Sequence, residues 1–151
     1  MSEIKWITKH FNDLSVLELY KILQLRSMVF VVEQQCIFLD MDNNDQIAYH
    51  TLGLLDDGEL VATTRLFNLH DSYEGYQSIG RVCCSSKYRN KGYGKALMLY
   101  SINECKRLFG PGSIKIGAQL YLNKFYNDLG FENCDDVYEE DGIPHIHMIR
   151  Q

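Results

Sequence analysis

Arg89-Asn90-Lys91-Gly92-Tyr93-Gly94-Lys95 decides how the rest of the chain is read. An apolar, strand-like run at residues 79–84 leads into it, and a long amphipathic run at residues 96–109 leads away. Strand, glycine loop and helix in that order make a cradle for a phosphate. Glycine lets the backbone bend and come close to a ligand. A helix start leaves N–H groups without intrahelical partners and turns the positive end of its dipole outward. Two common phosphate motifs each fail on a named residue. The nucleoside-triphosphate loop, G-x-x-x-x-G-K-S/T, meets Arg89 at its first glycine and Ala96 after Gly94-Lys95. The dinucleotide fingerprint, G-x-G-x-x-G/A, begins at Gly92 and Gly94 but meets Leu97 at its third place. What fits is R-x-x-G-x-G, at Arg89, Gly92 and Gly94.

Upstream, residues 3–10 alternate as a first strand, with Ile4, Trp6 and Thr8 on one face. Ser15 and Glu18 form a capping box, with Leu14 and Leu19 as its hydrophobic staple. The helix runs through Leu17, Tyr20, Leu23 and Arg26 towards Phe30, weakened near its end by the β-branched Val29, Val31 and Val32. Residues 36–46 read as a loop with acidic Asp40, Asp42 and Asp45. Strands at 49–55 and 59–69 flank a two-residue turn at Asp57-Gly58, and another strand covers 77–85.

Downstream, Gly110-Pro111-Gly112 stops the long helix. A short strand at 113–117, a helix at 119–129 closed by Gly130, and a last hairpin (131–139 and 143–150) around Asp141-Gly142 complete the chain. The order β-α-β-β-β-α-β-α-β-β predicts an α/β fold of the mixed-sheet, α+β kind with helices on the faces of the sheet. The two strand–helix units within residues 77–129 predict a local parallel pair, since parallel neighbours need a helical crossover.

Residues 1–151 are expected to form one domain, long enough for a real core. A net charge of −5 argues against nucleic-acid binding, which wants a basic surface, and suits a cationic substrate such as an amine. Against that background Lys87, Arg89, Lys91 and Lys95 make a local cationic patch. The five cysteines, Cys36, Cys83, Cys84, Cys105 and Cys134, are odd in number and show no C-x-x-C spacing. Reduced thiols fit a cytoplasmic protein. Lys5, Lys9 and His10 interrupt any secretory signal, and no apolar run is long enough for a bilayer, so no membrane partner is expected.

R-x-x-G-x-G between a strand and a helix resembles the pyrophosphate loop of the GNAT superfamily of acetyl-CoA-dependent N-acetyltransferases. Phe125-Tyr126-Asn127-Asp128-Leu129-Gly130-Phe131 matches that family's F/L-Y-x-x-x-G-F run. Leu25-Arg26, the runs at 29–34 and 79–82, Gly117-Ala118-Gln119 and the run at 138–145 look like its ElaA-like branch. The resemblance implies the GNAT acyl-CoA N-acyltransferase fold. Its sheet is mostly antiparallel, with a parallel pair splayed at the cofactor site. It implies acetyl-CoA as cosubstrate and direct attack by a primary amine of a small molecule or peptide.

On that resemblance Arg89, Asn90, Lys91, Gly92, Tyr93, Gly94 and Lys95 wrap the pyrophosphate, mainly through backbone N–H groups. Val82, Cys83 and Cys84 run beside the pantetheine, where a bulge frees an N–H to polarise the thioester carbonyl. Tyr126 stands at the family's tyrosine and is the candidate acid for the departing thiolate. Gln119, Asn123 and Tyr126, at i, i+4 and i+7, share a helix face that would line the cofactor channel. Gln119 and Leu122 depart from the asparagine and alanine the superfamily often has there.

The base is open. No glutamate lies between Ile79 and Ser85, where the superfamily often carries one. Glu33, His50, His145 and a water chain are the candidates. Arg26, Phe30, Glu33, Gln34 and His145 are expected around the acceptor. Arg26, Arg65 and Arg81 either contact an acidic substrate group or pair with the chain's own carboxylates. His145 and His147 share a strand face, and H-x-H can bind metal; a third ligand would have to be His50 or a carboxylate, and no metal is expected. Cys83 and Cys84 have no histidine close in sequence to activate them, so packing is their default role. The rival to an enzyme is a non-catalytic acyl-CoA-binding sensor or partner-binding module on the same fold. Oligomeric state is open, a homodimer included.

Overall fold

In the computed structural model, which describes residues 3–151, the helix start expected at Ser15 is complete. The Glu18 N–H donates to Ser15 Oγ at 3.0 Å, and the Ser15 N–H donates to Glu18 Oε1 at 2.8 Å. From this cap α1 (Val16–Arg26) presses Ile22 and Leu25 onto the sheet. It does not stop at the β-branched residues. Ser27–Glu33 continue it in the wider π geometry, each N–H reaching back five residues instead of four. The valine run thus marks a change of pitch rather than an end. The widened turn brings Phe30 and Glu33 to the wall of the main cleft.

Two antiparallel sheets follow. The first holds β1 (Lys5–His10), β2 (Tyr49–Leu54), β3 (Leu60–Phe67) and β4 (Ser78–Cys84) in that order. The second has the order β5 (Ile114–Gln119), β7 (Ile143–Arg150), β6 (Glu132–Glu140). They meet at a single parallel bridge. The Gln77 N–H donates to the Ser113 carbonyl at 3.1 Å, and the Lys115 N–H donates to the Gln77 carbonyl at 2.9 Å. Beyond it β4 and β5 diverge. The expected parallel pair is therefore present, held at one end and open at the other.

The turns are set by backbone conformation. Asp141 and Gly142, at φ 52° and 79°, form the tight two-residue turn that joins β6 to β7. The β2–β3 turn is longer than Asp57-Gly58 alone predicts. Its ladder closes between Leu55 and Glu59, and Gly58 takes the left-handed place at φ 88°. The long helix α2 (Tyr93–Phe109) begins three residues before the predicted 96, capped by Gly92 at φ 78°. Helices cover both faces of the first sheet. Thr64 points to α2, where its hydroxyl lies 2.8 Å from that of Ser101. Its neighbour Arg65 points to the α1 side. Among the described residues no helix is long and apolar enough to cross a membrane.

Under α1 lies a closed ring of six charges. Asp40 bridges Arg26 and Arg81 at 2.9 and 2.8 Å. Asp42 bridges Arg81 and Arg65 at 3.5 and 2.8 Å. Asp45 bridges Arg65 and Arg26 at 2.9 and 2.8 Å. Formal charges cancel around the ring, and the 36–46 loop is clamped to α1, β3 and β4. Burial alone would raise the Asp42 and Asp45 carboxyls. The guanidiniums beside them hold both well below the usual carboxylate range. Arg26 is 1% exposed with its guanidinium committed to Asp40 and Asp45, so it is a structural cation and not an acceptor ligand. For Arg65 and Arg81 the alternative of pairing with the chain's own carboxylates is the one realised.

His50 sits against this ring, buried, with Nε2 donating to the Asp45 carbonyl at 3.0 Å. Burial lowers its pKa and outweighs the pull of Asp45. Folding therefore keeps His50 neutral. Its contribution to stability is complete above the unfolded value of about 6.5 and is lost as pH falls from there towards the folded pKa. Thermal unfolding followed from about pH 7 to about pH 5 should show a falling midpoint in the wild type. A His50→Gln variant should hold a flatter profile, and equal falls in both would place the effect elsewhere.

Candidate active site

Where β4 and β5 part, a cleft of about 880 Å³ opens, well within the size of ligand sites. One wall is an irregularity of β4. Thr63 pairs with Cys83 and Arg65 with Gly80, so Arg81 and Val82 together oppose Thr64 alone. This is a β-bulge, with Arg81 at φ 48°. A left-handed backbone costs a non-glycine residue about 1–2 kcal/mol. The Arg81 side chain offsets this through the ring. Its Nε donates to Asp40 Oδ1 and its Nη2 to the Asp40 carbonyl, both at 2.8 Å. Hydrogen bonds to charged groups contribute about 1.5–3 kcal/mol each, so the bonds win. The bulge residues are unpaired with β3, no strand among the described residues pairs on their other side, and both line the cleft.

The glycine loop closes one end. Ala96 N–H makes the first intrahelical bond, to the Gly92 carbonyl at 3.1 Å. Gly94 lines the cleft in the first turn of α2. A Cβ on Gly92 would meet nothing within 4 Å, so the loop is open on that side. Asn90, Lys91, Gly92 and Lys95 are exposed outside the cleft, with Lys91 Nζ 6.0 Å from the Tyr88 ring. Arg89 turns inward. It donates to Glu33 Oε1 at 2.5 Å and to the Cys84 carbonyl at 3.3 Å. The two residues assigned by sequence to cofactor and acceptor are thus bound to each other across the cleft mouth.

The expected helix over 119–129 is largely something else. Gln119 is the last residue of β5, opposite His145. A tight turn follows, and α3 covers only Asn123–Asn127. The shared helix face therefore does not exist. Gln119 still lines the cleft and donates to Gln34 at 3.4 Å, whereas Asn123 lies outside it and bonds to Asn127. Tyr126 lies in the cleft wall at 5% exposure, between the rings of Phe125 and Phe131 at 5.1 and 5.9 Å. Burial, then Tyr121 and Cys84, push its hydroxyl pKa above the ordinary value.

Phe30, Glu33, Gln34 and His145 do come together on the cleft wall. His145 Nδ1 lies 2.7 Å from the Ile143 carbonyl, and Nε2 lies 3.5 Å from Glu140 Oε2. Phe38 and Leu39 also line the cleft, and sequence reasoning missed them. The apolar Ile37-Phe38-Leu39 run inside an acidic loop was their signal. Burial pushes the Cys84 thiol up to about 11, against the pull of Arg89, and Cys83 higher still, so neither supplies a thiolate. His147 pairs with Asp136 and stacks on Tyr138. Among the described residues no three His, Cys, Asp or Glu side chains gather as a metal site requires.

A model of the acetyltransferase (GNAT) domain matches residues 24–151. The chain belongs to the GNAT family. It is 42% identical over 150 residues to the protein ElaA of Escherichia coli, covering 98% of this chain and 97% of that one. The crystal structure of E. coli ElaA superposes with a TM-score of 0.90 at 41% identity, over 99% of this chain and 100% of that chain. That of an acyl-CoA N-acyltransferase from Pseudomonas aeruginosa gives 0.93 at 39% identity, over 99% and 100%. The GNAT fold carries acyl transfer from an acyl-CoA to an amine.

Proposed function

We propose that the protein transfers an acetyl group from acetyl-CoA to a primary amine, by direct attack, in the cytoplasm. The observation that carries this reading is the convergence of three features on one cleft: a glycine-capped helix start, a bulged strand with unpaired backbone groups, and the Tyr126 hydroxyl. The helix start suits a pyrophosphate, and the bulge suits amide and thioester groups of a thin chain lying across β4.

Tyr126 would protonate the departing thiolate. Its raised pKa does not spoil this role, because the desolvation that raises the phenol also raises a thiol formed beside it, as it does for Cys84. His145 is the better base. The Ile143 carbonyl can only accept, so in the neutral ring Nδ1 carries the hydrogen and Nε2 keeps its lone pair. Glu140 beside Nε2 would then settle the imidazolium. Glu33 is held by Arg89 through Oε1, while its Oε2 is buried without a hydrogen-bond partner and is the second candidate.

The test is titration with acetyl-CoA beside a thiol-release screen of small amines, polyamines and peptide N-termini. Gly92→Glu should weaken acetyl-CoA binding by at least about tenfold, since a side chain at φ 78° drives the loop from the shape that binding must restore. Unchanged affinity would remove the loop from the site. Tight acetyl-CoA binding with no thiol release from any amine would make the protein a non-catalytic acyl-CoA-binding module.

A further inference from the structure

The bulge in β4 is held from outside the strand. Arg81 is an arginine in a backbone conformation that favours glycine. Asp40 holds the side chain. It is 5% exposed, accepts Arg81 Nε at its carboxylate and Nη2 at its carbonyl, and is anchored to Arg26 on α1 at 2.9 Å. Asp42, in the same loop, completes the hold at a longer 3.5 Å. Phe38 and Leu39 of this loop line the cleft beside the π turn that carries Phe30 and Glu33. One ring of charges therefore fixes both the unpaired backbone groups of β4 and the opposite wall.

We propose that Asp40 is a positioning residue for acyl transfer: by gripping the Arg81 guanidinium it sets the bulge at Arg81-Val82, and with it the direction of the backbone N–H groups offered to the thioester carbonyl. This rests on acyl-CoA lying across β4. The device also registers the acceptor wall to the carbonyl, because the same carboxylate joins the loop to α1 and β4. Asp40 touches no substrate. It acts only through Arg81, so its loss should change how the carbonyl is polarised and leave the nucleotide end of the cofactor as it was.

The test uses the full chain and acetyl-CoA labelled with carbon-13 at the carbonyl. In the wild-type complex the carbonyl resonance should be displaced from its value in free acetyl-CoA, as expected for a carbonyl held by preorganised donors. Asp40→Asn should return it most of the way, while the affinity for CoA itself stays within about threefold. Asp40→Asn with Arg81→Gly should recover the displacement, because glycine adopts the left-handed conformation unaided and the ring is again neutral. The double variant also serves where Asp40→Asn alone fails to fold. An unmoved resonance in Asp40→Asn, or a free-like resonance in the double variant, overturns the inference. Wild-type protein that does not bind acetyl-CoA overturns the reading of the cleft and this inference together.

Discussion

Replacing Tyr126 by phenylalanine is expected to lower kcat about a hundredfold, the low end of what one positioned acid contributes. That corresponds to about 2.7 kcal/mol of transition-state stabilisation. The ring itself stays, packed against Phe125 and Phe131 in a site 5% exposed, so neither the wall nor the cofactor channel should change shape. Acetyl-CoA affinity should accordingly stay within about twofold. Single-turnover rates and equilibrium titration separate the possibilities. Full kcat in the variant removes Tyr126 from the chemistry. Weakened binding with normal kcat makes it a wall of the channel.

The second large effect is on stability. Arg26→Met keeps most of the side-chain volume and removes the charge with its hydrogen-bond donors. It leaves Asp40 and Asp45 buried with one cation each where they had two. Removing one member of a buried ionic network costs about 3–5 kcal/mol, because the remaining charges lose compensation they cannot recover from water. For a chain of this length that is a drop of roughly 10 °C in Tm. Chemical denaturation with the m-value held constant checks it. A loss below about 1 kcal/mol would mean that the ring behaves like exposed ion pairs.

The contrast between these residues shows what a single sequence makes legible. Tyr126 and the glycine loop could be placed in the fold because their signals are local: a tyrosine beside Gly130-Phe131, and glycines between a strand and a helix. The cap at Ser15 and the turn at Asp141-Gly142 were readable for the same reason. Arg26 was misread because its partners lie 14 and 19 residues away in a loop with no periodicity. Gln119 was misread because pairing with His145, far along the chain, overrides its place in a helical pattern. The start of α2 was placed late because Tyr93 and Gly94 are poor helix formers, and a left-handed cap at Gly92 outweighs that. Arg89 and Glu33 were each read against an absent ligand, and periodicity offered no sign that they meet.

The parting of β4 from β5 has a cost that the chain carries permanently. Beyond the Gln77–Ile114 bridge each strand turns a bare edge towards the other. Bare edges are templates for recruitment, and in most proteins they are covered or charged because a neighbouring molecule will otherwise add itself to the sheet. Here two of them face inward across a gap, and the kink at Arg81-Val82 twists one out of register with anything that approaches. A sequence change that straightened β4 would satisfy more of its backbone and would be locally favourable. It would also let the gap zip shut or capture a strand from a second copy. The opening persists because the molecule stays frustrated at this seam.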